Sequence, residues 1–282
     1  MKSLSNRFDT EDLKEFEPEA KVGLIATVNP AGLPHLTLIT ALQAKDPATL
    51  VWGQFSEGLS KEHVKNNPRT GFLIMTPSRS LWRGKALWTG AKRTGEDYDM
   101  FNEKPMFRYN AYFGIHTVHY MDLVETAGRE RLPLAAIAVS SLLTLAATGG
   151  ANAGSRARVL KPWAEGLFNR LTSLKFLAAL DRDGFPRIVP LFQCRAADST
   201  RLIFSPHAYT DELRNLEPGM HTAVFGLTMD MEDVLVRGIF RGFEKRRGIE
   251  LGIVDIDWVY NSMPPVPGQI YPEIPLEPVT RF

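Results

Sequence analysis

Ser60 and Lys61 open a short helical stretch, SKEHVKN, that Pro68 stops. A helix start presents unpaired N–H groups and a partial positive charge, so an anion is stabilised there. A hydroxyl and an ammonium at that point add a donor and a full charge, which is the chemistry of a phosphate site. Read alone, the same residues are an N-cap, Ser60, followed by a solvated lysine. Other chemistry is sparse. His116 and His119 are three apart, so in a strand they point to opposite faces. No carboxylate spacing accompanies them, and no metal site is expected. The chain has no G-x-S-x-G elbow, Walker A motif or H-E-x-x-H. Its one cysteine, Cys194, excludes an internal disulfide and a cysteine-rich metal centre within one chain. With 33 Lys plus Arg against 32 Asp plus Glu, the net charge of +1 argues against nucleic acid as the main partner.

The elements that must position Ser60 and Lys61 occur twice. Residues 22–42, VGLIATVNPAGLPHLTLITAL, match residues 174–194, LKFLAALDRDGFPRIVPLFQC. Gly32 and Gly184 stand 152 residues apart, as do Pro34 and Pro186. LWRGKALWTG (81–90) matches DVLVRGIFRG (233–242), with Gly90 and Gly242 again 152 apart. LSKEHVKNNP (59–68) matches YTDELRNLEP (209–218), where Pro68 and Pro218 are 150 apart, which reads as a two-residue deletion in a loop. These anchors in one order describe two copies of one fold. The expected domains are residues 1–127, a helical connector at 128–172, and residues 173–282. In this alignment Thr210 faces Ser60 and Asp211 faces Lys61. An aspartate repels phosphate, so only the first copy is expected to hold an anion, with the second as scaffold.

Each copy reads mostly as strands. Residues 22–28 and 36–42 flank an N-P-A-G turn, a hairpin signal. Residues 50–53, 70–76, 81–92 and 118–126 read as further strands, with helices at 60–66 and 96–102. Six strands with tight turns suggest a small closed barrel, because closure removes exposed edges. The second copy repeats this from 174 to 244. A helix over 249–260 and an extended Pro-rich arm, PPVPGQIYPEIPLEP, complete it. Residues 132–148, LPLAAIAVSSLLTLAAT, are as long as the shortest membrane spans. Pro133, Ser140, Ser141, Thr144 and the alanines favour a buried connecting helix instead, so no membrane partner is expected. The N-terminus is polar and acidic, without the apolar core of a signal peptide, and a cytoplasmic location is expected. Trp52, Trp82 and Trp88 fit a core, although aromatic rings can also wall a flat ligand.

The order strand, G-x-P-H hairpin, strand, short strand, F-S-E-G-L-S-K, helix, N-P, strand resembles the FMN-binding split-barrel family, which includes pyridoxamine 5′-phosphate oxidase. The resemblance covers nearly all of both halves and implies two split β-barrels in tandem. It implies FMN as cofactor, with its phosphate at Ser60 and Lys61. It places Gln54, Phe55 and Ser56 beside the ribityl chain or ring, and His35, Thr37, Leu38, Ile39 and Thr40 along the other flavin contacts. Lys85, which aligns with Arg237, reads as an exposed strand lysine or as a cation that could reach the phosphate or the flavin edge. Arg187, opposite His35 in the repeat, is a further cation within possible reach of a ligand. The tail IYPEIPLEPVTRF has no histidine, so the Arg–His substrate motif of the vitamin B6 oxidases is absent. The implied function is an FMN flavoprotein, an oxidoreductase moving electrons or hydride between FMN and a small-molecule donor or acceptor. The alternatives are a non-catalytic flavin carrier, or a flavin-free barrel that binds another ligand such as haem. The chain is expected as a monomeric pseudo-dimer or a homodimer.

Overall fold

β-Branched and large apolar residues crowd the first strand, VGLIATV, and six of its seven residues are buried. A strand buried on both faces belongs inside a closed or covered sheet. The computed structural model describes residues 4–18, 20–103, 114–150, 158–262 and 267–275. It is mainly β, with two antiparallel eight-stranded sheets. The first holds β1 (Val22–Val28), β2 (Pro34–Leu38), β3 (Gln43–Asp46), β4 (Thr49–Gln54), β5 (Arg69–Met75), β6 (Ser80–Lys92), β7 (Thr117–Thr126) and the short β8 (Glu130–Arg131). Helix α1 (Leu59–Asn66) follows β4, and α2 (Glu96–Glu103) follows β6. Then come α3 (Leu134–Ala147) and α4 (Pro162–Asn169). The second sheet holds β9 (Leu174–Leu180), β10 (Pro186–Pro190), β11 (Arg195–Asp198), β12 (Arg201–Phe204), β13 (His221–Leu227), β14 (Asp233–Arg246), β15 (Ile249–Asn261) and β16 (Gly268–Tyr271), with α5 (Thr210–Arg214) after β12.

The strand order is β2-β1-β5-β6-β7-β4-β3 in one sheet and β10-β9-β13-β14-β15-β12-β11 in the other, the same path twice. The two are split barrels in tandem. Their backbone hydrogen bonds repeat as well. Ile39 N–H donates to Gly23 O at 2.7 Å and Leu191 N–H to Lys175 O at 2.8 Å, each donor and acceptor shifted by 152. Gly32 (φ 74°) and Gly184 (φ 80°) close the two hairpin turns in left-handed conformations that glycine adopts without strain. β5 and β13 also start 152 apart, at Arg69 and His221. No deletion is therefore needed, because α5 is shorter than α1 and the following loop is longer. Counted from the helix starts, Leu59 and Thr210, the residues opposite Ser60 and Lys61 are Asp211 and Glu212. In this register the residue opposite Lys61 is Glu212, one position on from Asp211, and it too is an acid.

By compactness the chain divides into one unit of Met1–Gly32, Leu36–Leu132 and Leu180–Ile188, and another of Leu33–His35, Pro133–Ala179 and Val189–Phe282. The first core contains Trp52, Trp82, Phe16 and Phe72, and Trp88 packs against it. Trp82 Nε1–H donates to the buried Asp12 carboxylate at 2.7 Å, which satisfies both polar groups inside that core. The second core gathers Phe168, Leu177, Phe204, Val236 and Phe240.

Three sequence expectations need correction. The helix expected at 249–260 is β15, which pairs with β14 and β12. Its Ile and Val residues favour a strand, and a central place in the sheet holds them there. The strand expected at 36–42 ends at Leu38, because Leu42 N–H turns back to Ile39 O at 3.1 Å. The connector helix α3 is not simply buried. Ser140 and Thr144 are 0% exposed, and their hydroxyls accept from Ala208 N–H and Ser205 N–H. The polar side is thus keyed inward, and Leu134, Val139, Leu142 and Leu145 face solvent. Among the described residues no helix is long and apolar enough to cross a membrane. Of the Pro-rich arm, Gly268–Tyr271 pairs with β15 as β16, and residues 263–266 and 276–282 lie outside the described residues.

Candidate functional site

β4 delivers the chain through residues 55–58 into α1, and the candidates Gln54, Phe55, Ser56, Ser60 and Lys61 lie along this passage. Gly58, in extended conformation, takes the N-cap position. Ser60 is therefore the second helical residue and not the cap. Its hydroxyl is buried with no partner among the described residues. Lys61 is not a solvated lysine either, being only 7% exposed. Burial lowers its pKa to about 8, with Glu57 acting in the opposite direction. No carboxylate oxygen of a described residue comes within ion-pairing distance of it. The first turn of α1 thus holds an unpartnered donor and an unpaired cation side by side. A contact of 3.0 Å between Thr27 Oγ1 and His63 Nδ1 fastens the helix to β1.

Behind this passage runs a polar relay. Trp88 Nε1–H donates to His119 Nδ1 at 3.1 Å. An indole N–H can only donate, so Nδ1 is the bare nitrogen and Nε2 carries the proton. His119 Nε2–H then donates to Gln54 Oε1 at 2.7 Å. Gln54 Nε2–H in turn reaches Glu57 Oε2 at 3.3 Å. β4 and β7 pair Trp52 directly with His119, whose ring stacks on the indole at 3.8 Å and 2°. Burial, followed by the charges of Lys61, Lys65 and His116, lowers the His119 pKa to about 3. The ring stays neutral and fixes the orientation of the Gln54 amide. His116 lies just before β7, and its N–H donates to Gln54 O at 2.9 Å. Both histidines therefore meet the β4–α1 passage, which their spacing as strand residues did not suggest.

The depressed His119 pKa predicts an acid-sensitive fold. The unfolded ring titrates near 6.5, so stability is full above that pH and falls as pH drops toward 3. At pH 5 the loss from this one group is about 2 kcal/mol. Urea unfolding at pH 7 and pH 5 should show His119→Gln losing about 2 kcal/mol less than the parent between the two. An equal loss in both proteins would contradict the assignment.

The remaining candidates separate. Phe55 and Ser56 are exposed in the passage itself. Thr37 and Leu38 end β2, and Ile39 and Thr40 lie in the turn beyond it. His35 belongs to the second unit, with its ring centroid 6.3 Å from that of Trp258 and 5.7 Å from that of Tyr260. Lys85 is held by Glu125 and Asp181 at 3.0 Å each and by Asp183 at 2.8 Å. Burial would lower its pKa, but these carboxylates more than offset burial and raise it. Arg187 is also paired with Asp181. A cleft of about 460 Å³ lies elsewhere in the first unit, lined by residues including Gln43, Lys45, Asp97 and Met100. Lys45 pairs with Asp97 at 2.6 Å, and Tyr120 donates to the same carboxylate, so these groups satisfy one another. No group of three or more His, Cys, Asp or Glu among the described residues is arranged to hold a metal.

No protein-family profile matches the chain, and no curated protein does. The chain is similar to several solved structures. A candidate pyridoxamine 5′-phosphate oxidase from Lactobacillus delbrueckii is 17% identical, with 43% of this chain and 94% of that one covered and a TM-score of 0.35. An FMN-binding protein from Syntrophomonas wolfei is 14% identical, covering 41% and 80%, with a TM-score of 0.34. PhzG from Burkholderia lata, solved with tetrahydrophenazine-1-carboxylic acid, is 10% identical, covering 87% of each chain, with a TM-score of 0.27. At these identities and TM-scores the likeness carries no argument about ligand or activity.

Proposed function

We propose that the first copy binds FMN by its phosphate at the start of α1, and that the chain is an FMN-dependent oxidoreductase acting on a small molecule. The observation that carries this is the pairing, in one helical turn, of a buried Ser60 hydroxyl and a buried Lys61 that have no hydrogen-bond or ion-pair partner among the described residues. A buried donor without an acceptor costs about 1–3 kcal/mol, and a phosphate oxygen would remove that cost. Gln54, oriented by His119, would hold the nucleotide near its ring or ribityl chain, with Phe55 and Ser56 on the exposed side. Bound FMN would supply the electron or hydride transfer, and the protein would bind and orient it. No acid–base residue is assigned.

Titration of the purified chain should quench FMN fluorescence saturably. Ser60→Ala should weaken binding about fivefold, as expected for one hydrogen bond. Riboflavin, which lacks the phosphate, should bind far more weakly. Equal affinity for riboflavin and FMN would sink the phosphate assignment. Turnover of a reduced nicotinamide with oxygen tests the oxidoreductase reading separately.

A further inference from the structure

We propose that Arg237, in the second unit, forms a binding site for a small carboxylate. β14 and β15 pair Arg237 directly with Trp258, and its guanidinium lies 4.1 Å from the centre of the indole. That indole is itself fixed. Its Nε1–H donates to Gln269 Oε1 at 2.9 Å, and its ring stacks on Tyr260 at 5.2 Å and 8°. The guanidinium is thus pre-oriented on a rigid platform, and little freedom is lost when its N–H fork takes an acceptor. Arg237 Nε is buried, and no group among the described residues accepts from it. Asp257 acts on Arg237 through space without forming an ion pair, and its carboxylate lies 3.8 Å from His221 Nδ1.

The repeat supplies an internal comparison. Arg237 stands 152 residues after Lys85. Three acids neutralise Lys85: Glu125, Asp181 and Asp183. Glu125 faces Lys85 across β6 and β7, whereas Arg237 faces Trp258 across β14 and β15. The residues 152 before Asp181 and Asp183 are Asn29 and Ala31, both uncharged. The repeat thus keeps the cation, while the residues corresponding to the three acids of Lys85 are neutral: Trp258 for Glu125, and Asn29 and Ala31 of the first copy for Asp181 and Asp183. A carboxylate from outside restores what Lys85 receives from within, and a guanidinium matches it with two parallel hydrogen bonds. The nearby negative charge of Asp257 disfavours a dianion, which selects a monocarboxylate over phosphate.

The test is independent of flavin. In the full chain the Trp258 indole N–H resonance, assigned by its loss in Trp258→Phe, is followed during titration with sodium benzoate. Sodium chloride at equal ionic strength serves as the control. A saturable shift with a millimolar midpoint is expected for benzoate and none for chloride. Arg237→Gln should weaken the midpoint at least tenfold, and Arg237→Lys, which keeps the charge but loses the fork, several-fold. An unsaturable shift, an equal response to chloride, or an unchanged midpoint in either variant would overturn the site. Tighter binding of inorganic phosphate than of benzoate would overturn the carboxylate assignment.

Discussion

Lys61→Glu is expected to weaken FMN binding about 100-fold, measured by fluorescence titration at pH 7. The substitution places a negative charge in the buried turn that the proposed phosphate would enter, and it removes the positive charge of Lys61 beside the Ser60 hydroxyl and the helix N–H groups. Charge-assisted contacts of this kind are worth about 1.5–3 kcal/mol each, and a like charge adds repulsion. Lys61→Gln separates loss of attraction from repulsion and should fall between parent and Lys61→Glu. The control is Glu212→Lys, opposite Lys61 in the second copy, which should leave affinity unchanged. The pH dependence has a definite sign. Lys61 titrates at about 8 in the free protein, so it is charged below that pH and neutral above it. Affinity should therefore be full at pH 7 and about tenfold weaker at pH 9. Lys61→Arg, which stays charged, should bind equally at both. Unchanged affinity in Lys61→Glu, or a flat parent profile, would remove α1 from the site.

Gly84→Ala should destabilise the first barrel by more than 3 kcal/mol, read from urea unfolding. A Cβ at residue 84 would lie 1.9 Å from Glu125 O and 3.0 Å from a ring carbon of Phe72. The near atom is backbone in the paired strand β7, so relief requires β6 and β7 to part. That movement also pulls Glu125 from Lys85, leaving a largely buried ammonium with one acid fewer. Gly95→Ala is the matched control. It has a left-handed φ of 109° and nothing within 4 Å of its Cβ, so its cost is conformational only, about 1 kcal/mol. A loss of under 1 kcal/mol in Gly84→Ala would show that the strands yield more easily than their pairing implies.

The duplication was readable because its anchors are residues that backbone geometry restricts. Gly32 and Gly184 need left-handed turns, and Pro34 and Pro186 open the strands after them. Substitution there is costly, so the spacing survives while side chains change. Ser60 and Lys61 were readable as a helix start, but their burial was not, since nothing local reports what packs over them. His119 escaped for the same reason. Its partners Trp88, Trp52 and Gln54 are brought to it by β6–β7 and β4–β7 pairing, far from residue 119 in the chain. β15 was misread because its Asp and Glu residues interrupt the apolar pattern, while its strand state depends on two neighbours in the sheet. In α3 the apolar run suggested burial. Its orientation is decided instead by two hydroxyls that accept hydrogen bonds from Ser205 and Ala208.

Two identical subunits must share every substitution, good or bad, because one gene writes both. A single polypeptide carrying both barrels is free of that constraint. Lys61 can keep its ammonium while the other helix acquires Asp211 and Glu212, and Trp258 can face Arg237 where Glu125 faces Lys85. Ligand stoichiometry follows: a saturated preparation should carry one nucleotide per polypeptide, and the vacated half is available for a different recognition task.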